Sequence, residues 1–72
     1  MTGRPRYIGI SPCEQPVLDL MCLGKSNPVI AQVLGKSRST IAGQVRRIIS
    51  KLDAENRTHA VAKVLKPELF QR

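Results

Sequence analysis

Residues 34–52 read LGKSRSTIAGQVRRIISKL, and two features of this stretch decide the fold. Ile41, Val45, Ile48, Ile49 and Leu52 recur at i, i+4, i+7, i+8 and i+11, which is the apolar stripe of an amphipathic helix. Just upstream, Gly35 and Ser37 punctuate the chain, glycine as the stop of one helix and serine as the N-cap of the next. A helix from about Arg38 to Leu52 is therefore predicted, entered by a tight turn. Gly43 in its middle is the anomaly, because glycine costs about 1 kcal/mol relative to alanine in a helix interior. A partner that must approach the backbone closely would compensate; a solvated face with an accidental glycine is the plainer alternative.

The same punctuation occurs once more. LGKS stands at 23–26 and again at 34–37, so Gly24 closes a first helix and Ser26 caps a short second one, with Pro28 tolerated in its first turn. Ile30, Val33 and Leu34 mark the predicted inner face of that second helix. Upstream, Ser11, Pro12 and Glu14 form a capping box, with Val17, Leu18, Met21 and Cys22 as the following stripe. Pro16 conflicts with a helix starting at Pro12, so the first turn is distorted or the helix starts later. A fourth helix is predicted from Asn56 or Arg57, burying Ala60, Val61, Val64 and Leu65 and stopping before Pro67. No alternating run of β-branched and aromatic residues suggests a strand. The expected organisation is a basic arm at 1–9, an all-α four-helix domain at 10–66 and a short tail at 67–72.

With 72 residues and 42% of them hydrophobic, the chain can pack short helices but not enclose a deep substrate cavity. Its net charge is +7, and the distribution is more telling than the total. All five acids lie outside residues 20–52, whereas Lys25, Lys36, Arg38, Arg46, Arg47 and Lys51 lie inside. A positive field on one segment suits a phosphate backbone. A membrane surface is the weaker partner, since no long helix combines these cations with bulky aromatics. No apolar run approaches a membrane span and no signal sequence is visible, so a cytoplasmic protein is expected. Cys13 and Cys22, nine apart, would lie about 13 Å apart along one helix and on opposite faces, and are read as reduced thiols.

A short helix, a tight turn at Gly35 and a longer helix make a helix-turn-helix outline, whose second helix can lie in the major groove. Opposite its apolar stripe that helix carries Ser39, Gly43, Arg46, Arg47 and Ser50, with Ala42 beside them. Small side chains let a helix sink toward base edges, and an arginine fork can bond guanine O6 and N7. In the arm, Arg4 and Arg6 of GRPR could enter a narrow minor groove, or the arm is simply disordered.

Catalysis is poorly supported. A phosphate loop needs glycine five residues before GK, where the chain has Asp19 and Ile30. His59 is the only histidine and is read as a solvent-facing first-turn residue with no metal pattern around it; Asp53 and Glu55 are read as turn residues, not an acid/base pair. No enzyme activity, metal or cofactor is expected.

From Ile10 to about Leu65 the chain resembles the LuxR/GerE-type helix-turn-helix of bacterial transcription regulators. The family's opening Thr-Pro-x-Glu corresponds to Ser11, Pro12 and Glu14, and its Gly-x-Ser-Asn turn to Gly24, Ser26 and Asn27. Ile-Ala-x-x-Leu matches Ile30, Ala31 and Leu34, and Ser-x-x-Thr-Val reads here as Ser37, Thr40 and Ile41. The closing motifs read as Lys51, Leu52, Asn56, Arg57, Ala60 and Val61. The resemblance implies that the third helix enters the major groove with Ala42, Gly43 and Arg46 facing bases. It implies phosphate contacts near Ser39, Thr40, Arg47 and Lys51, with backbone donors at Ser26 and Asn27. Lys36, with its stem on the core, could reach a further phosphate. A dimer through Val61, Val64 and Leu65 would read two half-sites of double-stranded DNA. Where the family often has Lys-x-His after Thr-Val, this chain has Ala42 and Gln44. That departure sustains an alternative, a protein-interaction module binding RNA polymerase or another regulator with weakened DNA readout.

Overall fold

Pro16 decides where the first helix begins. The structure, a computed structural model, describes residues 9–70, and α1 runs Gln15–Cys22 rather than from Pro12. Starting there leaves Pro16 in the first turn, where its missing N–H has no partner to lose. The capping box forms ahead of it all the same. Ser11 Oγ accepts from the Glu14 amide at 3.2 Å and Glu14 Oε1 accepts from the Ser11 amide at 3.1 Å. The arginines of the arm, Arg4 and Arg6, lie outside the described residues.

Three helices follow: α2 (Asn27–Leu34), α3 (Arg38–Lys51) and α4 (Arg57–Leu65), with a 3-10 turn at Pro67–Phe70. Gly35 takes a left-handed φ of +68°, and the Lys36 amide donates back to the Ala31 carbonyl at 2.9 Å. Those two residues turn the chain so that α3 can start at once, which is the helix-turn-helix step. Ser37 caps α3 as expected, its Oγ accepting from the Thr40 amide at 3.1 Å. Ser26 differs: it occupies the N-cap of α2 with extended backbone, but its hydroxyl makes no capping bond. At the far end of α3, Asp53 takes the left-handed position at φ +54°, and Lys63 donates to the Leu52 and Asp53 carbonyls at 2.8 and 3.0 Å. A cation thus closes the carbonyl end of α3.

The core is one cluster drawn from all four helices: Val17, Leu18 and Met21 of α1, Ile30 and Ala31 of α2, Ile41, Val45 and Ile48 of α3 with Leu52, and Ala60 and Val64 of α4. Several expectations are corrected by it. Val33 is 60% exposed, because Ile30, Ala31 and Leu34 form the buried side of a helix only eight residues long. On α4, Val64 is a core residue at 2% exposure, so its side chain is not available to a partner; Val61 is half-buried and Leu65 exposed. His59 is not a free surface group: its Nδ1 accepts from the Glu55 amide at 2.9 Å and its ring lies 5.2 Å from that of Phe70. Cys13 is exposed, Cys22 is half-buried, and neither forms a disulfide among the described residues.

Candidate nucleic-acid interface

The buried stripe of α3 fixes what its other side presents. With Ile41, Val45 and Ile48 in the core, Ser39, Arg46, Arg47 and Ser50 are exposed and Ala42 and Gly43 are half-buried. Gly43 has negative φ, and a Cβ built on it meets no atom within 4 Å. Neither the backbone conformation nor the packing of the described residues therefore requires glycine at this position. Arg46, one turn further on, has no carboxylate partner among the described residues. Lys36 and Arg38, at the N-terminal end of the same helix, are exposed and likewise unpaired among the described residues. The hydroxyls of Ser39 and Thr40 are engaged locally, 3.3 and 2.9 Å from Ser37 Oγ.

Arg47 and Lys51 have different surroundings from Arg46. Both converge on Glu14, which is 4% exposed: Lys51 Nζ lies 2.7 Å from Oε1 and Arg47 Nε 3.3 Å from Oε2. Lys51's hydrogen bond is the main reason the Glu14 carboxyl drops from 4.5 to about 2, opposed by burial and assisted by the Ser11 amide and Arg47. Only Glu14 is buried in this cluster; Arg47 and Lys51 are solvent-facing, and either one leaves the carboxylate the other cation and the Ser11 amide as partners. Reading the capping box accounted for Glu14 locally, and that local role hid the second one, because its partners lie 33 and 37 residues away in sequence. A lone acid facing two α3 cations was the only available signal.

Gln44 is a departure from the family's pattern on α3. It is in fact 8% exposed, with Oε1 buried and without a partner among the described residues, so it belongs to the packing of α3 and not to its outer face. Asn27, at the start of α2, has its Oδ1 held by Arg57 Nη1 at 2.6 Å, and Arg57 Nη2 donates to the Lys25 carbonyl. The acceptor end of Asn27 is thereby fixed, which leaves its NH2 group as the end free to donate. Val61 lines a surface groove with Met21, Gly24, Arg57, Thr58 and Ala62. Among the described residues no three acids, histidines or cysteines cluster as a metal site, and no helix is long and apolar enough to cross a membrane.

A short helix, a left-handed glycine turn and a longer helix with an acid-free basic outer face define a helix-turn-helix DNA-binding domain of the four-helix type. The family described as "Bacterial regulatory proteins, luxR family" matches residues 9–64, and the chain belongs to that family, whose members are regulators and not enzymes. It is similar to the transcriptional activator protein CarR of Pectobacterium carotovorum subsp. carotovorum, with 34% identity over 61 residues. The match covers 85% of this chain and 25% of CarR, so the chain spans a quarter of that relative's length. It is a DNA-binding domain of the transcription-regulator class.

Proposed function

We propose that the domain binds double-stranded DNA with sequence preference, α3 lying in the major groove and Arg46 reading a base. The carrying observation is Gly43: half-buried, with nothing within 4 Å of an added Cβ, one turn from an unpaired Arg46. A helix gives up stability there for no benefit inside the fold, which supports close approach of something outside it. Ala42 lies beside Gly43 and adds little bulk. Lys36, Ser39, Thr40 and Arg47 then flank the reading face toward phosphates, and the amides of Ser26 and Asn27 offer donors at the start of α2. Lys51 lies on the same side of α3, with its ammonium closer to Glu14 than the Arg47 Nε is, at 2.7 Å against 3.3 Å.

Dimerisation on two half-sites would use Val61 and Leu65 of α4, with Val64 behind them in the core. Contact with RNA polymerase is supported by the likeness to CarR, whose name describes an activator. DNA and RNA polymerase as partners imply a cytoplasmic setting. The protein-interaction alternative loses one of its two supports, since a buried Gln44 is not a missing base reader. The test is selection of a preferred duplex from a random pool, followed by Arg46→Ala. A loss of about 1–3 kcal/mol on the selected duplex with a smaller loss on its scrambled version is expected. Equal losses on both would remove Arg46 as a reader.

A further inference from the structure

We infer that Glu14 is a positioning residue of the DNA-binding face: it anchors Arg47 by Nε and takes Lys51 as its counterion, so that Arg47 alone presents a guanidinium fork to phosphate. This rests on the DNA-binding reading and deepens it. The geometry is specific about which atoms are used. Arg47 meets Glu14 through Nε, at 3.3 Å, and no partner holds Nη1 or Nη2 among the described residues. Its side chain is 60% exposed, whereas that of Glu14 is 5% exposed. One edge of the planar guanidinium is therefore tied to the protein and the terminal NH2 groups face outward. That is the disposition in which a fork can meet phosphate oxygens with little further ordering.

Lys51 contrasts with it. Its ammonium lies 2.7 Å from Oε1 and its side chain is only 34% exposed. Oε1 also accepts from the Ser11 amide at 3.1 Å, so the carboxylate is fixed from the α1 side as well. Glu14 thus joins the cap before α1 to the last turns of α3 and holds the Arg47 stem against rotation. A simpler view makes Glu14 a neighbouring anion that merely repels DNA. The two views predict opposite signs, because removing a repelling anion strengthens binding whereas removing an anchor weakens it.

Arginine and lysine at position 47 separate the views without disturbing the core. A lysine has one charged nitrogen, which the buried carboxylate would hold as it holds that of Lys51, leaving nothing for phosphate. The experiment is fluorescence anisotropy of a labelled random-sequence duplex with the full chain, titrated between about 50 and 200 mM salt. Arg47→Lys is expected to bind roughly tenfold more weakly, close to Arg47→Ala, with the slope of log K against log[salt] shallower by about 0.9. Glu14→Gln, checked for folding by circular dichroism, is expected to weaken binding in a Lys51→Met background, where no second ammonium is set free, but to strengthen that of Arg47→Lys by releasing its ammonium. Binding by Arg47→Lys equal to wild type overturns the proposal whether or not Glu14→Gln folds. Tighter binding by Glu14→Gln in the Lys51→Met background also overturns it. No binding by the wild-type chain at 50 mM salt overturns the DNA reading itself, a result separable from the others.

Discussion

Replacing Gly43 by alanine should move stability and DNA affinity in opposite directions. The residue lies inside α3 with negative φ, and an added Cβ meets no atom within 4 Å, so the methyl group fits without strain. Helix propensity then favours alanine by about 1 kcal/mol. In a domain of this size that raises the melting temperature by roughly 4–8 °C, readable by thermal circular dichroism. On DNA the same methyl lies where the backbone is to approach the base edges and holds α3 outward. The Arg46 contact one turn away suffers first, and a bidentate arginine–guanine pair is worth about 1–3 kcal/mol, or roughly 5- to 150-fold in Kd. Anisotropy on the selected duplex measures it. A variant that is more stable and binds DNA as well as wild type would refute the reason given for the glycine. A variant that is less stable would show that the surroundings of Gly43 are not open.

The Glu14 cluster should appear in the acid limb of the stability profile. Its carboxyl sits below its unfolded value of 4.5, at about 2, so the stabilisation is full above pH 4.5 and is lost as pH falls from there through 2. With solvent screening at the partly exposed Arg47 and Lys51, about 2 kcal/mol should disappear across that window; denaturant midpoints from pH 5 to 2 should show it for wild type and not for Glu14→Gln, and parallel profiles would contradict the assignment. On α4, Val64→Ala should cost about 2 kcal/mol of stability, whereas Leu65→Ala should change stability by less than about 0.5 kcal/mol and weaken self-association in sedimentation velocity. If Val64→Ala left the melting curve unmoved, its core position would be wrong.

What was legible in the sequence followed from local rules. The stripe of α3 is written in Ile41, Val45 and Ile48, and the turn in Gly35 and Ser37, because helical period and capping act within a few residues. The base-reading side of the candidate site follows from that stripe, since knowing which side is buried names the other. The phosphate side was less legible. Arg47 and Lys51 look alike as cations one helical turn apart, and the fold brings both to Glu14, a contact between α3 and a cap more than thirty residues earlier. Val33 illustrates a second limit: in a helix of eight residues, sharing a side chain's apolar character with Ile30 does not mean sharing its face. Gln44 illustrates a third, for a polar residue one place before Val45 reads as surface until packing encloses it. His59 and Phe70 meet only because the 3-10 turn folds back on α4, and nothing in either segment alone announces that contact.

The central claim is that the outer face of α3 binds the phosphate backbone and reads bases from the major groove. Its most direct test is the salt dependence of binding to a random-sequence duplex, measured by anisotropy and repeated with Arg46→Ala and Arg47→Ala combined. With Arg46 on a base, phosphate contacts from Lys36, Arg38 and Arg47 predict a slope of log K against log[salt] of about −2.7 for wild type, falling to about −1.8 in the double variant. A slope near zero, or one unchanged by removing both arginines, would contradict the claim.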